Sequence, residues 1–169
     1  MNYEGRLRLD TARLWITPLA LDELERLNCG ISDIPLDPDA LTAAVRLAIG
    51  KKIARMRGVD ADHHEWLTYW LIVLRESGQG IGFAGFKGIG ADGFAEVGYG
   101  MSPNHRQRGY MAEALAALVR WAEANEAVQG VFAKVDPENT GSVMTLKHCG
   151  FEISGCSAGQ DEYRNQFSR

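Results

Sequence analysis

Residues 94–125, FAEVGYGMSPNHRQRGYMAEALAALVRWAEAN, constrain the fold more than any other stretch of the chain. They read as an apolar strand, a Ser102-Pro103-Asn104 turn, a glycine, and a helix over 111–125 with Met111, Leu115, Leu118 and Ala122 on its inner face. Another strand segment, GVFAKVD (130–136), follows that helix, so the second half of the chain is built of strand–helix–strand units. Ahead of it, LTYWLIVLR (67–75) is apolar on both faces, as a central strand should be. GIGFAGFKGIG (80–90) and FAEVGYGMS (94–102) follow after short glycine-containing turns, which predicts an antiparallel meander. The expected class is α/β, with a mixed central sheet and flanking helices.

The remaining segments fill in that frame. RLRLDTARLWITPL reads as a strand offering Leu7, Leu9, Leu14 and Ile16 to a core. ALDELERLNCG sets Leu21, Leu24 and Leu27 on one helical stripe and stops at Gly30. DPDALTAAVRLAIGKKIARMRG reads as a longer helix, with Asp37 as N-cap, Pro38 as its first residue and Gly50 marking a break. Its apolar face is Leu41, Val45, Ile49, Ile53 and Met56. GSVMTLKHCG (141–150) is a short helix ended by Gly150, and FEISGC and DEYRNQF are closing strands. No repeat, linker or low-complexity tract divides the chain, and 169 residues suffice for one core, so 1–169 is expected to form a single domain.

Several function classes drop out on composition and spacing. A net charge of −4 argues against a duplex nucleic-acid binder that works by phosphate neutralisation. No apolar run is long enough to span a membrane, and MNYEGRLRLD has no apolar leader core, so a cytoplasmic protein is expected. Cys29, Cys149 and Cys156 are odd in number and lack metal spacing. His63-His64-Glu65 lacks the four-residue histidine spacing of a zinc helix and reads as a solvated loop; no metal site is expected. The run KKIARMR (51–57) reads as a solvated helix face. Gly80-Ile81-Gly82-Phe83-Ala84-Gly85 spells G-x-G-x-x-G, but turn chemistry follows it where a dinucleotide site needs a helix, so the glycines are expected to serve a crowded or bulged strand.

The segment HRQRGYMAEAL (105–115) is the exception. A helix N-terminus carries partial positive charge and favours Asp or Glu, yet arginines cluster here, which makes sense if an anion arrives from outside the chain. Gly109 lets a ligand approach the backbone, the first helical amides have no intrahelical partners, and the arginines can add charge-assisted bonds. The lysine and metal-binding hydroxyl of a P-loop are absent, so such a site would hold phosphates and not transfer them.

Arg106-Gln107-Arg108-Gly109-Tyr110-Met111 resembles the Q/R-x-x-G-x-G/A pyrophosphate loop of the GNAT N-acetyltransferases. TARLWITPL, EVGYGMSPNHRQRGYMAEAL and ENTGSVMTLKHCGF are similar, in order, to motifs of the branch named for ribosomal-protein N-terminal acetylation, so the resemblance spans residues 11–151. It implies a GNAT-type fold with splayed parallel strands and acetyl-CoA as co-substrate. It also implies a diphosphate held at Arg106, Gln107, Arg108, Gly109, Tyr110, Met111 and Ala112, and a pantetheine arm paired with the backbone of Gly100, Met101 and Ser102. One amide of that last segment would polarise the thioester carbonyl. Met111 departs from the usual small residue.

By the same resemblance Asn139 contacts the pantetheine arm and Ser142 lies near the thiol; the alternatives are an ordinary N-cap and a surface serine. Glu96 matches the position where many relatives place the general base, while the next parallel strand offers Lys134 where others place a glutamate. The alternative for Glu96 is a structural carboxylate satisfied by a neighbour. Relatives often carry a tyrosine in the helix after Asn139, and this helix has none, leaving water or Ser142 to protonate the thiolate. The implied reaction is direct attack of a primary amine, from a protein N-terminus or a small molecule, in a ternary complex. A non-catalytic coenzyme A or acyl-CoA sensor of the same fold is the rival, acetylation of charged tRNA is disfavoured by the acidic balance, and a monomer or a homodimer is expected.

Overall fold

The computed structural model describes residues 5–169; residues 1–4, part of the segment expected to lack a leader, lie outside the described residues. One eight-stranded sheet runs in the order β1-β2-β3-β4-β5-β6-β8-β7. Its strands are β1 (Leu9–Asp10), β2 (Leu14–Pro18), β3 (Trp70–Leu74), β4 (Gln79–Ile89), β5 (Phe94–Met101), β6 (Gly130–Val135), β7 (Glu152–Ser157) and β8 (Gln160–Gln166). Among the described residues four α-helices flank it: α1 (Leu21–Asn28), α2 (Ala43–Met56), α3 (Tyr110–Glu123) and α4 (Thr140–His148). The expected meander is β3-β4-β5, antiparallel throughout, and β5 and β6 form the sheet's parallel pair among the described residues.

Side chains alternate across the sheet, and each face buries one core. Leu14, Ile16, Trp70, Ile72, Ala95 and Val97 pack on one face with the inner stripe of α3 and with Leu146 of α4. On the other, Tyr69, Leu71, Val73 and Phe83 meet Leu24 and Leu27 of α1 and Val45, Ile49, Ile53 and Met56 of α2. The glycines of strand β4 answer to crowding. A Cβ at Gly82 would stand 2.7 Å from the Gly100 carbonyl, and one at Gly85 2.3 Å from the Thr68 carbonyl. Neither contact leaves room for a side chain.

Several details differ from the sequence reading. The first strand segment folds back on itself, pairing Leu9 with Ile16, so it supplies two short antiparallel strands. Helix α2 begins at Ala43, capped by Thr42, whose Oγ1 accepts from the Val45 amide at 3.2 Å; Asp37 is used elsewhere. Gly50 does not break it, because a helix accommodates one glycine at a cost of about 1 kcal/mol when its neighbours are packed. The His63-His64-Glu65 stretch forms a 3-10 helix, Ala61–Trp66, where the His64 ring meets the Met56 carbonyl.

The basic run 51–57 is not wholly a solvated face. Lys52 is only 6% exposed, and its Nζ donates to the carbonyls of Leu67 at 3.1 Å and Phe86 at 2.9 Å while lying over the Tyr69 ring. The β4–β5 register slips between Phe86 and Ile89, so the amine serves a carbonyl at an irregular stretch of the ladder. Burial first, then the charges of Lys87 and Arg55, push its pKa down to about 7, with Glu96 opposing.

This has a consequence for stability. Below about pH 7 the amine is protonated in both folded and unfolded chains. Between about 7 and its ordinary value of 10.5 the folded chain sheds the proton and the unfolded chain keeps it, so stability rises with pH across that window. Urea midpoints measured from pH 6.5 to 9.5 are expected to climb in the native protein and to climb less in Lys52→Met; equal slopes would show that Lys52 does not titrate there.

Candidate active site

Strands β5 and β6 run side by side only from Phe94/Gly130 to Glu96/Phe132. Beyond that point they part, and a gap opens in the middle of the sheet. Val97 to Met101 line it, with no strand partner on that side among the described residues. Antiparallel pairing alternates which amides face which neighbour. The Ser102 amide donates to the Ile81 carbonyl at 2.9 Å, and its hydroxyl donates to Asp37. By alternation Gly100 also faces β4, and the amides that face the gap are those of Tyr99 and Met101. Of the three backbone positions expected to line a pantetheine arm, Met101 is thus the one whose amide is turned toward it.

The start of α3 stands at the end of β5. Gly109 has φ +78° and Gln107 φ +60°, so the loop twice enters the left-handed region. Such turns swing successive amides toward one side. The Glu113 amide makes the first turn's bond, to the Gly109 carbonyl. Among the described residues no chain group accepts from the amides of Arg108, Gly109, Tyr110, Met111 or Ala112. Those donors form a cradle of the kind that binds phosphate oxygens. The Arg106 guanidinium turns back onto the Met101 carbonyl at 3.1 Å, while no partner holds the Arg108 side chain among the described residues. Met111 is half-buried against the core, so its bulk is accommodated on the side facing the sheet.

Two sets of contacts fix this loop. The first comes from the turn before β2. Glu113 Oε1 accepts from Thr11 Oγ1 at 2.6 Å and from the Arg13 amide at 2.8 Å, and Oε2 from Arg13 Nε at 2.7 Å. Arg13 Nη1 then reaches the Arg108 carbonyl at 2.9 Å, and its guanidinium lies 4.4 Å from the Tyr110 ring centroid. Burial works against the charge on Glu113, but these hydrogen bonds hold its carboxyl below the usual glutamate range. A helix N-terminus also favours an acidic side chain in its first turn.

The second set is centred on Asp37, in the α1–α2 connection. It accepts from Ser102 Oγ at 2.7 Å and from Asn104 Nδ2 at 3.2 Å, and lies 3.0 Å from His105 Nε2. Burial opposes ionisation here too, and bonds from Ser102, the Asp39 amide and Asn104, with the charge of His105, leave the carboxyl below its ordinary value. That is why Asp37 is not a helix cap.

Glu96 sits where β5 and β6 begin to part, on the face that carries α1 and α2. Its Oε1 accepts from Lys87 Nζ at 2.8 Å, so it is both a paired carboxylate and one that borders the gap. On the opposite wall Lys134 is exposed two residues past Phe132. Asn139 caps α4, with Oδ1 accepting from the Ser142 amide at 3.1 Å. The capping use is real, and it leaves the Asn139 side-chain nitrogen, Nδ2, without a chain partner among the described residues.

Tyr99 was missed by sequence reading. It faces α4, and its hydroxyl lies 3.4 Å from the Ser142 carbonyl, with burial raising its pKa to about 12. Strand alternation was the available signal: it puts Tyr99 on the face opposite Glu96. Among the described residues no His/Cys/Asp/Glu group could hold a metal ion, and no helix is long and apolar enough to cross a membrane.

Comparison with known proteins fits this geometry. The model of the acetyltransferase (GNAT) domain matches residues 13–152. The uncharacterized N-acetyltransferase YjdG of Bacillus subtilis (strain 168) is 34% identical over 97 residues, covering 57% of this chain and 56% of that protein. The uncharacterized N-acetyltransferase p20 of Bacillus licheniformis is 34% identical over 85 residues, covering 50% of this chain and 48% of that protein. The chain thus spans about half the length of the curated relatives it matches. Among solved structures, the ribosomal alpha-N-protein acetyltransferase RimL in complex with coenzyme A superposes with a TM-score of 0.70 at 15% identity, covering 95% of this chain and 98% of that one. A GNAT-family acetyltransferase from Bacillus anthracis gives 0.63 at 18% identity, covering 94% and 96%. With a parted parallel pair, an amide cradle at the next helix and a family model over most of its length, the chain belongs to the GNAT acetyltransferase family.

Proposed function

We propose that the protein is an acetyl-CoA-dependent N-acetyltransferase, acting as one domain on a primary amine by direct attack in a ternary complex. The observation that carries this reading is the continuity of the gap. Open-edge amides of β5 lead from the unpartnered amides of α3 to a carboxylate where β5 and β6 part. Acetyl-CoA supplies an acyl thioester, activated toward amines, along this line.

The residues divide the work by position. The amides from Arg108 to Ala112, with the Arg108 guanidinium, hold the diphosphate. Tyr99 and Met101 present amides to the pantetheine arm, and one of them polarises the thioester carbonyl as it gains negative charge. The free side-chain amide of Asn139 steadies the arm near Ser142. Glu96 accepts the proton from the attacking amine, directly or through a water, because a protonated amine has no lone pair to attack with. Lys87 keeps that carboxylate aimed, through their 2.8 Å ion pair. The leaving thiolate needs a donor, and Tyr99 is neutral at physiological pH with its hydroxyl on the α4 side of the gap. A phenol pushed up to about 12 stabilises a thiolate better by hydrogen bonding than by giving up its proton.

Calorimetry with acetyl-CoA, followed by thiol release across a panel of primary amines, tests the reading. Saturable binding and amine-dependent thiol release are expected. Failure to bind acetyl-CoA would overturn it, and tight coenzyme A binding with no release on any amine would make the protein a binding module.

A further inference from the structure

The face of the sheet through which an acceptor would reach Glu96 carries an excess of positive charge, although the whole chain is net −4. Register puts the neighbours side by side. Glu96 pairs with Phe132, and Phe132 pairs with Arg164 on β8, so the three project from the same face about 4.8 Å apart strand to strand. Lys134 and its partner Glu162 lie on that face as well, two residues along. Lys87 comes from β4 and covers Gly98, its Cε 3.4 Å from where a Cβ would stand. From α2, Arg55 brings Nη2 to within 3.7 Å of the equivalent point at Gly88, and Lys52 lies beneath.

The charges do not fully cancel: Glu152 on β7 pairs in register with Arg164 and adds a carboxylate at the far edge of the sheet, so the remaining excess lies at Arg55 and Lys134. Glu96 is taken by Lys87, and Glu162 by Arg164 at 2.9 Å. Among the described residues neither Arg55 nor Lys134 has an ion pair, and both are exposed. Beside Lys134 the face is partly aromatic: the Arg164 guanidinium lies 4.4 Å from the Phe94 ring centroid and 5.7 Å from that of Phe132. Aromatic walls lower the local dielectric and lengthen the reach of unpaired charges.

We infer that the acceptor is a primary amine carrying a carboxylate close to the amino group, with Arg55 and Lys134 receiving the carboxylate while Glu96 meets the amine. This rests on the acetyl-transfer reading and adds the substrate class to it. Such a pair of cations also discriminates. An acceptor with a second positive charge would meet like charge on both sides of the gap.

The test is a matched acceptor panel at saturating acetyl-CoA. Free amino acids are compared with their amides, and alanine-initiated peptides with aspartate or with lysine in second place. The first pair asks whether the carboxylate belongs to a small amino acid, the second whether it belongs to an acidic peptide. In at least one pair the carboxylate-bearing member is expected to have a kcat/KM about tenfold or more higher. The advantage should shrink with added salt and fall in Arg55→Ala and Lys134→Ala, while the acetyl-CoA KM stays unchanged. Lys134→Glu should shift preference toward the lysine-bearing peptide. Acetylation without preference, a preference for the cationic member, or a preference that both alanine variants retain would overturn this inference and leave acetyl transfer standing. Silence with every amine would overturn acetyl transfer and this inference with it.

Discussion

Replacing Glu96 with glutamine is expected to lower kcat by about 10²-fold or more while leaving the acetyl-CoA KM close to native. Glutamine keeps the size and most of the hydrogen bonding of the side chain and removes its ability to take a proton. The substitution therefore separates chemistry from binding. The native pH–rate profile should fall on its acid side as both the amine and the carboxylate become protonated. In Glu96→Gln the carboxylate's contribution to that limb should vanish. The ion pair to Lys87 supplies a second variant: Lys87→Met removes the 2.8 Å partner that aims the carboxylate and should lower kcat while leaving the acetyl-CoA KM close to native. A pH–rate profile unchanged in Glu96→Gln would remove Glu96 from the role of base.

The second large effect is expected at Glu113, which contacts the cradle only through other residues. Glu113→Ala removes the acceptor for Thr11, the Arg13 amide and the Arg13 guanidinium together. Losing hydrogen bonds to a charged group costs about 1.5–3 kcal/mol each at the upper end, and Arg13 then lets go of the Arg108 carbonyl. The cradle amides are displayed by a loop with two left-handed residues, a conformation that needs outside support. The acetyl-CoA KM should therefore rise about tenfold or more, with a smaller change in kcat. Arg13→Ala should produce much of the same loss, and the double variant should fall well short of the sum, since both act through one set of bonds. Full additivity would show that the two side chains stabilise separate things.

The fold and the strand–turn–helix frame of the candidate site were legible where the signal is local. Gly109 precedes an apolar helix and follows a strand and turn, and that order alone points to exposed amides; the left-handed backbone there is a finding of the structure. The β3-β4-β5 meander was marked by short glycine turns. What the sequence obscured depends on partners far along the chain. Asp37 looks like a cap because Pro38 follows it, but its carboxylate meets Ser102, Asn104 and His105 some 65 residues on. Arg13 and Glu113 are a hundred residues apart. Lys52 is an intermediate case. It stands three residues after Ile49 and four before Met56, on the buried stripe of α2, so helical spacing placed it inward while its charge argued outward. Two backbone carbonyls and an aromatic ring decided the contest. Tyr99 was hidden in another way: it stands on β5, and its hydroxyl reaches α4 only at the Ser142 carbonyl, 43 residues on.

The central claim is that the start of α3 and the gap beside β5 form one continuous site. A crystal structure of the protein with coenzyme A tests it most directly. The account predicts diphosphate oxygens accepting from the amides between Arg108 and Ala112, with the thiol end in the gap between Tyr99 and Glu96. A diphosphate bound anywhere else, or a thiol lying outside the gap, would contradict it.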